Sequence, residues 1–181
     1  MRAELMRRYG EAEVLYRQAT ELRCQFLGEQ HPDLAASLNN LAGLYCATHR
    51  YKEAEPLYQQ AIAIGRKTLV EQHPEFATVL NNLALLCHSM RRFGEAELLH
   101  RQAMEIRRQV LGEQHPDFAA SLNNFGGLYY SMGRYEEAKS HCRQALQILL
   151  AVLGPQHPNT KACQASYDAL QRRPESKRRR K

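Results

Sequence analysis

The sequence has no long hydrophobic segment. Hydrophobic residues make up 44% of the 181 residues, but no apolar run approaches the ~18 residues that a membrane-spanning helix needs. The first residues, 1–5, also lack the apolar stretch of a secretory signal. We therefore expect a cytoplasmic location and no membrane partner.

The sequence also lacks the common signatures of catalytic and metal sites. It contains no glycine-rich phosphate loop, no nucleophile elbow and no paired carboxylates outside its repeats. Its five cysteines are scattered, odd in number and never spaced as Cys-x-x-Cys, as expected of small buried side chains in a reducing compartment. We expect no enzymatic activity, no cofactor and no metal.

An excess of one charge is missing from most of the chain. The net charge is +6, and residues 172–181, with seven basic residues and one acidic residue, account for all of it. This tail has no apolar residue to bury, so we expect it to be disordered. The run Lys177–Lys181 fits a nuclear-import signal, a nucleic-acid contact, an acidic-membrane contact or a solvated terminus. No aromatic residue interleaves the charges, so a nucleic-acid partner is not expected.

What the sequence does contain is a repeat with a period of 42 residues. A His-Pro pair recurs at fixed spacing, and in three copies an Asn-Asn pair follows within the next nine residues. A fixed period of this length indicates stacked structural units, each unable to bury its apolar face alone. The histidines of the four copies are His31, His73, His115 and His157, and the Asn pairs are Asn39-Asn40, Asn81-Asn82 and Asn123-Asn124.

Each period predicts two helices joined by short turns. One helix begins at the His-Pro pair, and in three units a glycine shortly before the pair would end the preceding helix. The other helix has apolar residues three and four positions apart, with alanines at two fixed places, such as Ala54 and Ala61, that would allow close packing of helices. Residues 1–8 are expected to be the last turns of a separate preceding helix, so that the array starts within a repeat. The second helices of the four units are predicted at Tyr9–Leu27, Tyr51–Leu69, Phe93–Leu111 and Tyr135–Leu153.

The period also predicts how the chain is divided. Three complete repeats would be flanked by an incomplete unit at one end and by a capping helix and the basic tail at the other. The predicted segments are the incomplete first repeat 1–27, the repeats 28–69, 70–111 and 112–153, the capping helix 154–171 and the tail 172–181.

The pattern resembles the tetratricopeptide repeat. Counting from Leu38, large apolar and small residues of the first copy stand at the spacings of the family's signature positions. The next two copies repeat this pattern. The 42-residue length exceeds the usual ~34, and with the His-Pro linker it is similar to the kinesin light chain and nephrocystin subclass. The resemblance implies an all-α, right-handed superhelical solenoid of antiparallel helix pairs that acts as a protein-interaction scaffold. The residues of the first copy that carry the pattern are Leu38, Leu41, Ala42, Tyr45, Ala54, Tyr58 and Ala61.

In such arrays the first helix of each pair lines the concave surface, and this places the Asn pairs there as a ladder. Amides offer both donors and acceptors, so a ladder can bracket the backbone of an extended peptide. Adjacent glycines would leave room, and larger side chains would form selective pockets. The predicted peptide-binding residues are Asn39, Asn40, Gly43, Cys46, Asn81, Asn82, Leu85, His88, Asn123, Asn124, Gly127 and Tyr130.

Two other interpretations of this surface remain open. The asparagines could simply bond to neighbouring helices and stiffen the stack. Acidic ligands could meet arginines at the turns, although charges there are usually solvated. Binding of a partner's C-terminal carboxylate by basic side chains is not expected, because the predicted concave face of these helices carries no Lys or Arg. The turn arginines are Arg50, Arg91, Arg92 and Arg134.

The repeated histidines do not predict a metal site. They lie 42 residues apart in separate units, too far from one another to share an ion. As residues before proline at helix starts they are expected to be structural. The adjacent pairs Cys87-His88 and His141-Cys142 lack ligand spacing.

The sequence therefore predicts a non-enzymatic scaffold that binds an extended segment of an unidentified partner protein. The alternative is a self-assembling module, in which a second copy covers the apolar side of the first predicted helix around Leu15, Tyr16 and Leu22. That alternative implies a homodimer through the N-terminal end. An adaptor that binds nucleic acid through the tail is the third possibility.

Overall fold

The computed structural model describes residues 2–68 and 73–172, and within them it contains eight helices and no strand. The predicted all-α repeat array is confirmed. The helices are α1 (Arg2–Leu27), α2 (Pro32–Ala47), α3 (Tyr51–Lys67), α4 (Pro74–Ser89), α5 (Phe93–Leu111), α6 (Pro116–Ser131), α7 (Tyr135–Leu153) and α8 (Pro158–Gln171).

Four helices begin in the same way, at the repeated His-Pro pair. The histidine is the N-cap, with extended backbone, and proline occupies the first turn, where a missing N–H costs nothing. In α2 the Nδ1 atom of His31 accepts a hydrogen bond from the backbone N–H of Asp33 at 3.2 Å. The other three copies repeat this bond at 3.1–3.2 Å, so the histidines are structural caps.

Several helices end at a glycine with a left-handed backbone conformation. Gly28, Gly112 and Gly154 have φ values of 78–88°, the left-handed conformation that ends a helix at little cost in glycine. The turn after α2 places His49 in the left-handed region at φ 60°, and Arg91 does the same after α4. Helix α3 ends at Lys67, and its predicted end near Leu69 lies outside the described residues.

The chain divides into two compact units, Met1–Ile106 and Arg107–Lys181. In the first unit α1 contacts α2, α2 contacts α3 and α4, and α3 contacts α4. The predicted packing alanines Ala54 and Ala61 of α3 are buried, and small side chains there allow close approach of the helix axes.

In the second unit α7 lies between α6 and α8. Ala138 and Ala145 of α7 are fully buried, as are Phe125 and Leu128 of α6. Gly126 marks a close approach of α6 to α7, because a Cβ atom there would collide with the Sγ atom of Cys142. This unit therefore has its own core.

One helix boundary was predicted wrongly. Residues 1–8 were expected to form a separate helix ahead of Tyr9, but the described helix α1 runs without interruption from Arg2 to Leu27. The segment Glu4–Arg8 consists of strong helix formers, and the Arg7–Glu11 ion pair spans the predicted break at 3.3 Å. Local propensity therefore continues the helix where later copies turn.

The predicted basic tail lies outside the described residues, except for Arg172, which is the C-cap of α8. Throughout the described ranges, every helix is too short or too polar to cross a lipid bilayer.

Candidate functional site

The predicted binding residues of the first unit come together where α2 and α4 lie side by side. Asn82 Nδ2 donates a hydrogen bond to Asn39 Oδ1 at 3.0 Å, and Asn39 Nδ2 donates to Asn40 Oδ1 at 3.4 Å. We call the surface of α2 and α4 that carries Asn39, Asn40 and Asn82 the amide face.

A hollow of about 270 Å³ opens where the amide face meets the beginnings of α2 and α4. We call it the N-terminal hollow. Asn39 and Asn40 line it together with the ring of Phe76, and Glu75 is the one charged residue in the described part of its lining. The remaining lining residues are Pro32, Ala35, Ala36, Ala61, Gly65, Thr68, Thr78 and Val79.

A second hollow of about 270 Å³ lies toward the ends of the same helices, and we call it the C-terminal hollow. Four of the predicted binding residues line it, and every described residue in its lining is uncharged. Because Asn82 lines this hollow while Asn39 lines the other, the bonded amides lie between the two. Its lining residues are Gly43, Cys46, Tyr51, Tyr58, Asn82, Leu85, Leu86 and Ser89.

Three titratable groups on α2, α3 and α4 are held neutral. Burial raises the pKa of the Cys46 thiol, whose Sγ lies 3.9 Å from Tyr58 Oη, and burial likewise raises the pKa of Tyr58. Burial lowers the pKa of His88, so its imidazole is uncharged at neutral pH. The surface is suited to hydrogen bonding and apolar contact rather than to nucleophilic or acid–base chemistry.

The predicted residues of the first unit differ in accessibility. Asn40 and Leu85 are exposed, and Asn81 is buried. His88 is half-buried and contacts the Phe93 ring, with centroids 5.8 Å apart, rather than lining either hollow. The remaining predicted residues of this unit are half-buried: Asn39, Gly43, Cys46 and Asn82.

In the second unit the predicted residues lie on α6. Asn123 is half-buried, and its Oδ1 lies 3.9 Å from Cys142 Sγ; Asn124 is half-buried too. Gly127 is exposed, and Tyr130 is exposed with its ring 5.6 Å from that of Tyr135. This helix presents amides, an open glycine and an aromatic edge.

Sequence reasoning missed the ion pairs that occupy the turn arginines. Arg50 bonds Glu13 at 2.5 Å and Glu53 at 2.6 Å, and its guanidinium lies 4.2 Å from the centre of the Tyr45 ring. These contacts lower the pKa of both carboxyl groups, chiefly through the hydrogen bonds from Arg50. The spacing Arg-x-x-Glu at each turn was the available signal.

The same arrangement recurs one repeat later. Arg92 bonds Glu55 at 2.6 Å and also pairs with Glu95. In the second unit Arg134 bonds Glu137 at 2.5 Å and lies over the ring of Tyr129 at 4.0 Å. These three arginines are therefore already engaged with carboxylates, and Arg91 is exposed at its turn.

A buried arginine was also missed. Arg107 is 6% exposed and donates to Ser121 Oγ at 2.9 Å and to the Asp117 carbonyl at 3.2 Å. Burial lowers its pKa. In the first unit Arg23 makes the same two bonds, to Ser37 and to the Asp33 carbonyl.

The described residues offer little that could hold a metal ion. Among the residues that the structure describes, no three His, Cys, Asp or Glu side chains are grouped closely enough to do so. The Nδ1 atoms of the repeated histidines are occupied as helix caps. Burial also raises the pKa of Cys142 to about 11 and that of Cys163 to about 12, which keeps both thiols protonated.

The family-model comparison matches almost the whole array. One tetratricopeptide repeat model matches residues 3–67, 33–109 and 75–138, and a second matches residues 118–159. No curated protein sequence matches the chain. Tetratricopeptide repeats commonly act as protein-interaction scaffolds, and no catalytic family is indicated.

Solved structures give the same result. The chain is similar to BtubC (BKLC) from P. vanneervenii, with 32% identity and a TM-score of 0.80 over 90% of this chain and 65% of that one. It therefore spans just under two thirds of BtubC. It is also similar to a Podosopora anserina putative kinesin light chain with nearly identical TPR-like repeats and to a point variant of that protein. Both have 29% identity and cover 97% of this chain and 85% of theirs, with TM-scores of 0.75 and 0.76.

The helix pairs, the repeated caps and these matches agree with one another. The chain belongs to the tetratricopeptide repeat family, and its structural relatives include kinesin light chain-like repeat proteins.

Proposed function

We propose that this chain is a non-enzymatic scaffold that binds an extended segment of a partner protein on the amide face of the first unit. The corresponding face of α6, with Asn123, Asn124, Gly127 and Tyr130, would bind in the same way in the second unit. The observation that carries the proposal is the bonded row of Asn82, Asn39 and Asn40 between two hollows.

The row leaves hydrogen-bonding capacity at both ends. The Oδ1 atom of Asn82 and the Nδ2 group of Asn40 have no partner within the described part of the chain. One end is an acceptor and the other a donor, which is what a peptide N–H and C=O require. The internal bonds fix the amide orientations in advance, so less conformational entropy is lost on binding.

The hollows supply places for side chains on either side of this row. Each is slightly smaller than the ~300–1,000 Å³ that is usual for small-molecule pockets, and each is open to solvent along the helices. Such a volume suits one or two peptide side chains rather than a cofactor. Backbone capture by amides combined with side-chain pockets is a general mode of peptide recognition.

The competing interpretation is that the asparagines only stiffen the stack. The Asn39–Asn82 bond and the burial of Asn81 fit that role for those residues. The exposed Asn40 does not, because its amide group projects beyond the bonded pair. We therefore assign packing to Asn81, peptide contact to Asn40, and both roles to Asn82, whose Nδ2 bonds Asn39 while its Oδ1 is left for the peptide.

A pair of double variants separates the two interpretations. Random linear peptides displayed on phage are selected on the full chain, and the affinity of a selected peptide is measured by calorimetry. Asn40→Ala/Asn82→Ala should abolish binding and leave the circular dichroism of the helices unchanged. Gln59→Ala/Gln60→Ala, which removes two exposed amides from α3, is the matched control and should bind normally. Equal binding by all three proteins would refute capture by the amide face.

One observation supports a second candidate function, self-assembly. Leu15, Leu22 and Phe26 of α1 are 66%, 52% and 80% exposed, whereas Ile64, the counterpart of Leu22 in α3, is buried. A second copy could cover this face. Light scattering over a range of concentrations tests it: Leu22→Glu should dissociate a dimer, and a strictly monomeric wild type would remove the candidate.

A further inference from the structure

We infer that the segment bound on the amide face is uncharged or basic, places an apolar side chain in the C-terminal hollow, and is not acidic or phosphorylated. This inference rests on the proposed function and adds the chemistry of the partner. It follows from the charges and the shape of the first unit alone.

The linings of the two hollows carry no positive charge among the described residues. The C-terminal hollow is lined by Gly43, Leu85, Leu86 and other uncharged residues, and its lining includes the neutral thiol of Cys46. In the described lining of the N-terminal hollow the one charged residue is Glu75, which is negative. A carboxylate or phosphate placed against either set of residues would lose hydration without meeting a cation.

The repeated arginines at the turns after α2 and α4 are already paired with glutamates. Arg50 is bonded to Glu13 and Glu53, and Glu13 also pairs with Arg17, so this cluster is neutral. The next cluster is centred on Arg92, which pairs with two glutamates, so its net charge is −1. Neither Arg50 nor Arg92 has positive charge to spare for an acidic segment. The exposed Arg91 lies beside Arg92 at the same turn, but it is not part of the described lining of either hollow.

The C-terminal hollow has open space beside an exposed apolar side chain. A Cβ atom on Gly43 would lie 3.8 Å from Tyr58 Oη, an ordinary contact, so the glycine leaves open space for a ligand without being required by packing. Leu85 is exposed at the edge of the same hollow. An apolar ligand side chain would bury Leu85 and fill the space above Gly43.

The preference for an uncharged or basic segment is tested with the selected phage peptides. We expect enriched sequences to be rich in apolar residues and to have zero or positive net charge. Replacing the peptide residue that faces the N-terminal hollow by glutamate or phosphoserine should weaken binding about fivefold or more, the scale of a single partly exposed charge interaction. Glu75→Lys should restore the affinity of the glutamate peptide and weaken that of a lysine peptide.

The hollow is tested with side-chain variants. Gly43→Leu should lower the affinity for the selected peptide about tenfold or more, because the new side chain fills the anchor site. Leu85→Ala should also lower this affinity and should leave the fold intact, because Leu85 is exposed. Gly10→Leu, at a glycine with nothing within 4 Å, is the control and should leave binding unchanged.

The possible failures can be told apart. If no peptide is enriched, or if enriched peptides bind the Asn40→Ala/Asn82→Ala variant equally well, the proposed function is wrong and the inference falls with it. If enriched peptides are acidic, still depend on Asn40 and Asn82, and lose affinity in Arg91→Gln, peptide capture stands and the charge preference is overturned. If Gly43→Leu and Leu85→Ala both bind normally, the hollow does not hold the anchor.

Discussion

Asn39 and Asn82 are joined by a hydrogen bond of 3.0 Å although they are 43 residues apart, one more than the repeat period. The bond therefore links the first asparagine of one copy to the second asparagine of the next. This diagonal connection fixes the orientation of both amides and leaves Asn40 projecting beyond them.

The diagonal bond predicts unequal effects of two alanine substitutions on stability. Asn82→Ala should lower the free energy of unfolding by about 1 kcal/mol, the usual net contribution of one hydrogen bond. Asn40→Ala should change it by less than about 0.5 kcal/mol, because the side chain is exposed. Urea denaturation measures both, and equal losses would contradict the geometry.

Gly65 predicts a steric penalty. A Cβ atom there would stand 2.6 Å from Phe76 Cδ2. Gly65→Ala should therefore destabilise the chain by about 1–3 kcal/mol despite the better helix propensity of alanine, and Phe76→Leu in the same chain should recover part of the loss. Gly127→Ala has open space and should be neutral or stabilising by up to about 1 kcal/mol. A stabilised Gly65→Ala variant in thermal unfolding would show that the close contact does not exist.

Arg107 and Ser121 should behave as a coupled pair. Arg107→Leu alone removes the donor to Ser121 Oγ and to the Asp117 carbonyl and should cost about 1–3 kcal/mol. Adding Ser121→Val should recover much of this, because the repeats that lack the arginine also lack the serine, as in Gly65 with Val79 and Leu149 with Cys163, whereas Arg23 is retained together with Ser37. A double-mutant cycle measures the coupling. Additive losses would mean that the two side chains do not interact.

The histidine caps predict a conservative rescue. His115→Ala removes the acceptor for the Asp117 N–H and should destabilise by about 1 kcal/mol, whereas His115→Asn retains an acceptor and should lose less. Chemical denaturation of the two variants provides the comparison. If asparagine were as damaging as alanine, the histidine would act through something other than capping.

The buried thiols predict a loss of stability in alkali. The pKa values of Cys142 and Cys163 are raised from 9.0 to about 11 and about 12, mainly by burial. Their folded values lie above the unfolded value, so the stabilisation is complete below pH 9.0 and is lost as the pH rises through about 11 and 12. The free energy of unfolding should fall above about pH 9, by at most about 1.4 kcal/mol per unit of pKa shift for each thiol.

Alanine variants provide the control for this pH dependence. Cys142→Ala/Cys163→Ala should show a shallower decline than the wild type when urea midpoints are compared between about pH 8 and about pH 10.5. Identical slopes would place the alkaline sensitivity elsewhere.

Much of the fold could be predicted because its signals are local and repeated. The His-Pro pairs mark four helix starts, glycines mark helix ends, and the alanines of α3 and α7 are buried as their spacing predicts. The α1 prediction failed because periodicity implied a turn after Arg8, whereas the residues around it favour an uninterrupted helix. A repeat pattern shows where a turn could occur, and local propensity decided against it.

The details of the candidate site depend on contacts between repeats, which the sequence does not specify. An Asn-Asn pair in each copy indicates a ladder but not that Asn82 bonds Asn39 rather than Asn40. Similarly, Arg50 could be placed at a turn, but its bond to Glu13 in another helix could not be foreseen from the turn alone. The electrostatic character of the surface therefore emerged only from the structure.

The most direct test of the account follows the asparagine side chains themselves. The chain is labelled with ¹⁵N-asparagine, and the side-chain amide resonances are recorded while a phage-selected peptide is added. We predict that the signals of Asn40 and Asn82 shift with saturation, while that of the buried Asn81 changes much less. Saturable binding that leaves Asn40 and Asn82 unchanged would contradict the central claim that the amide face holds the partner segment.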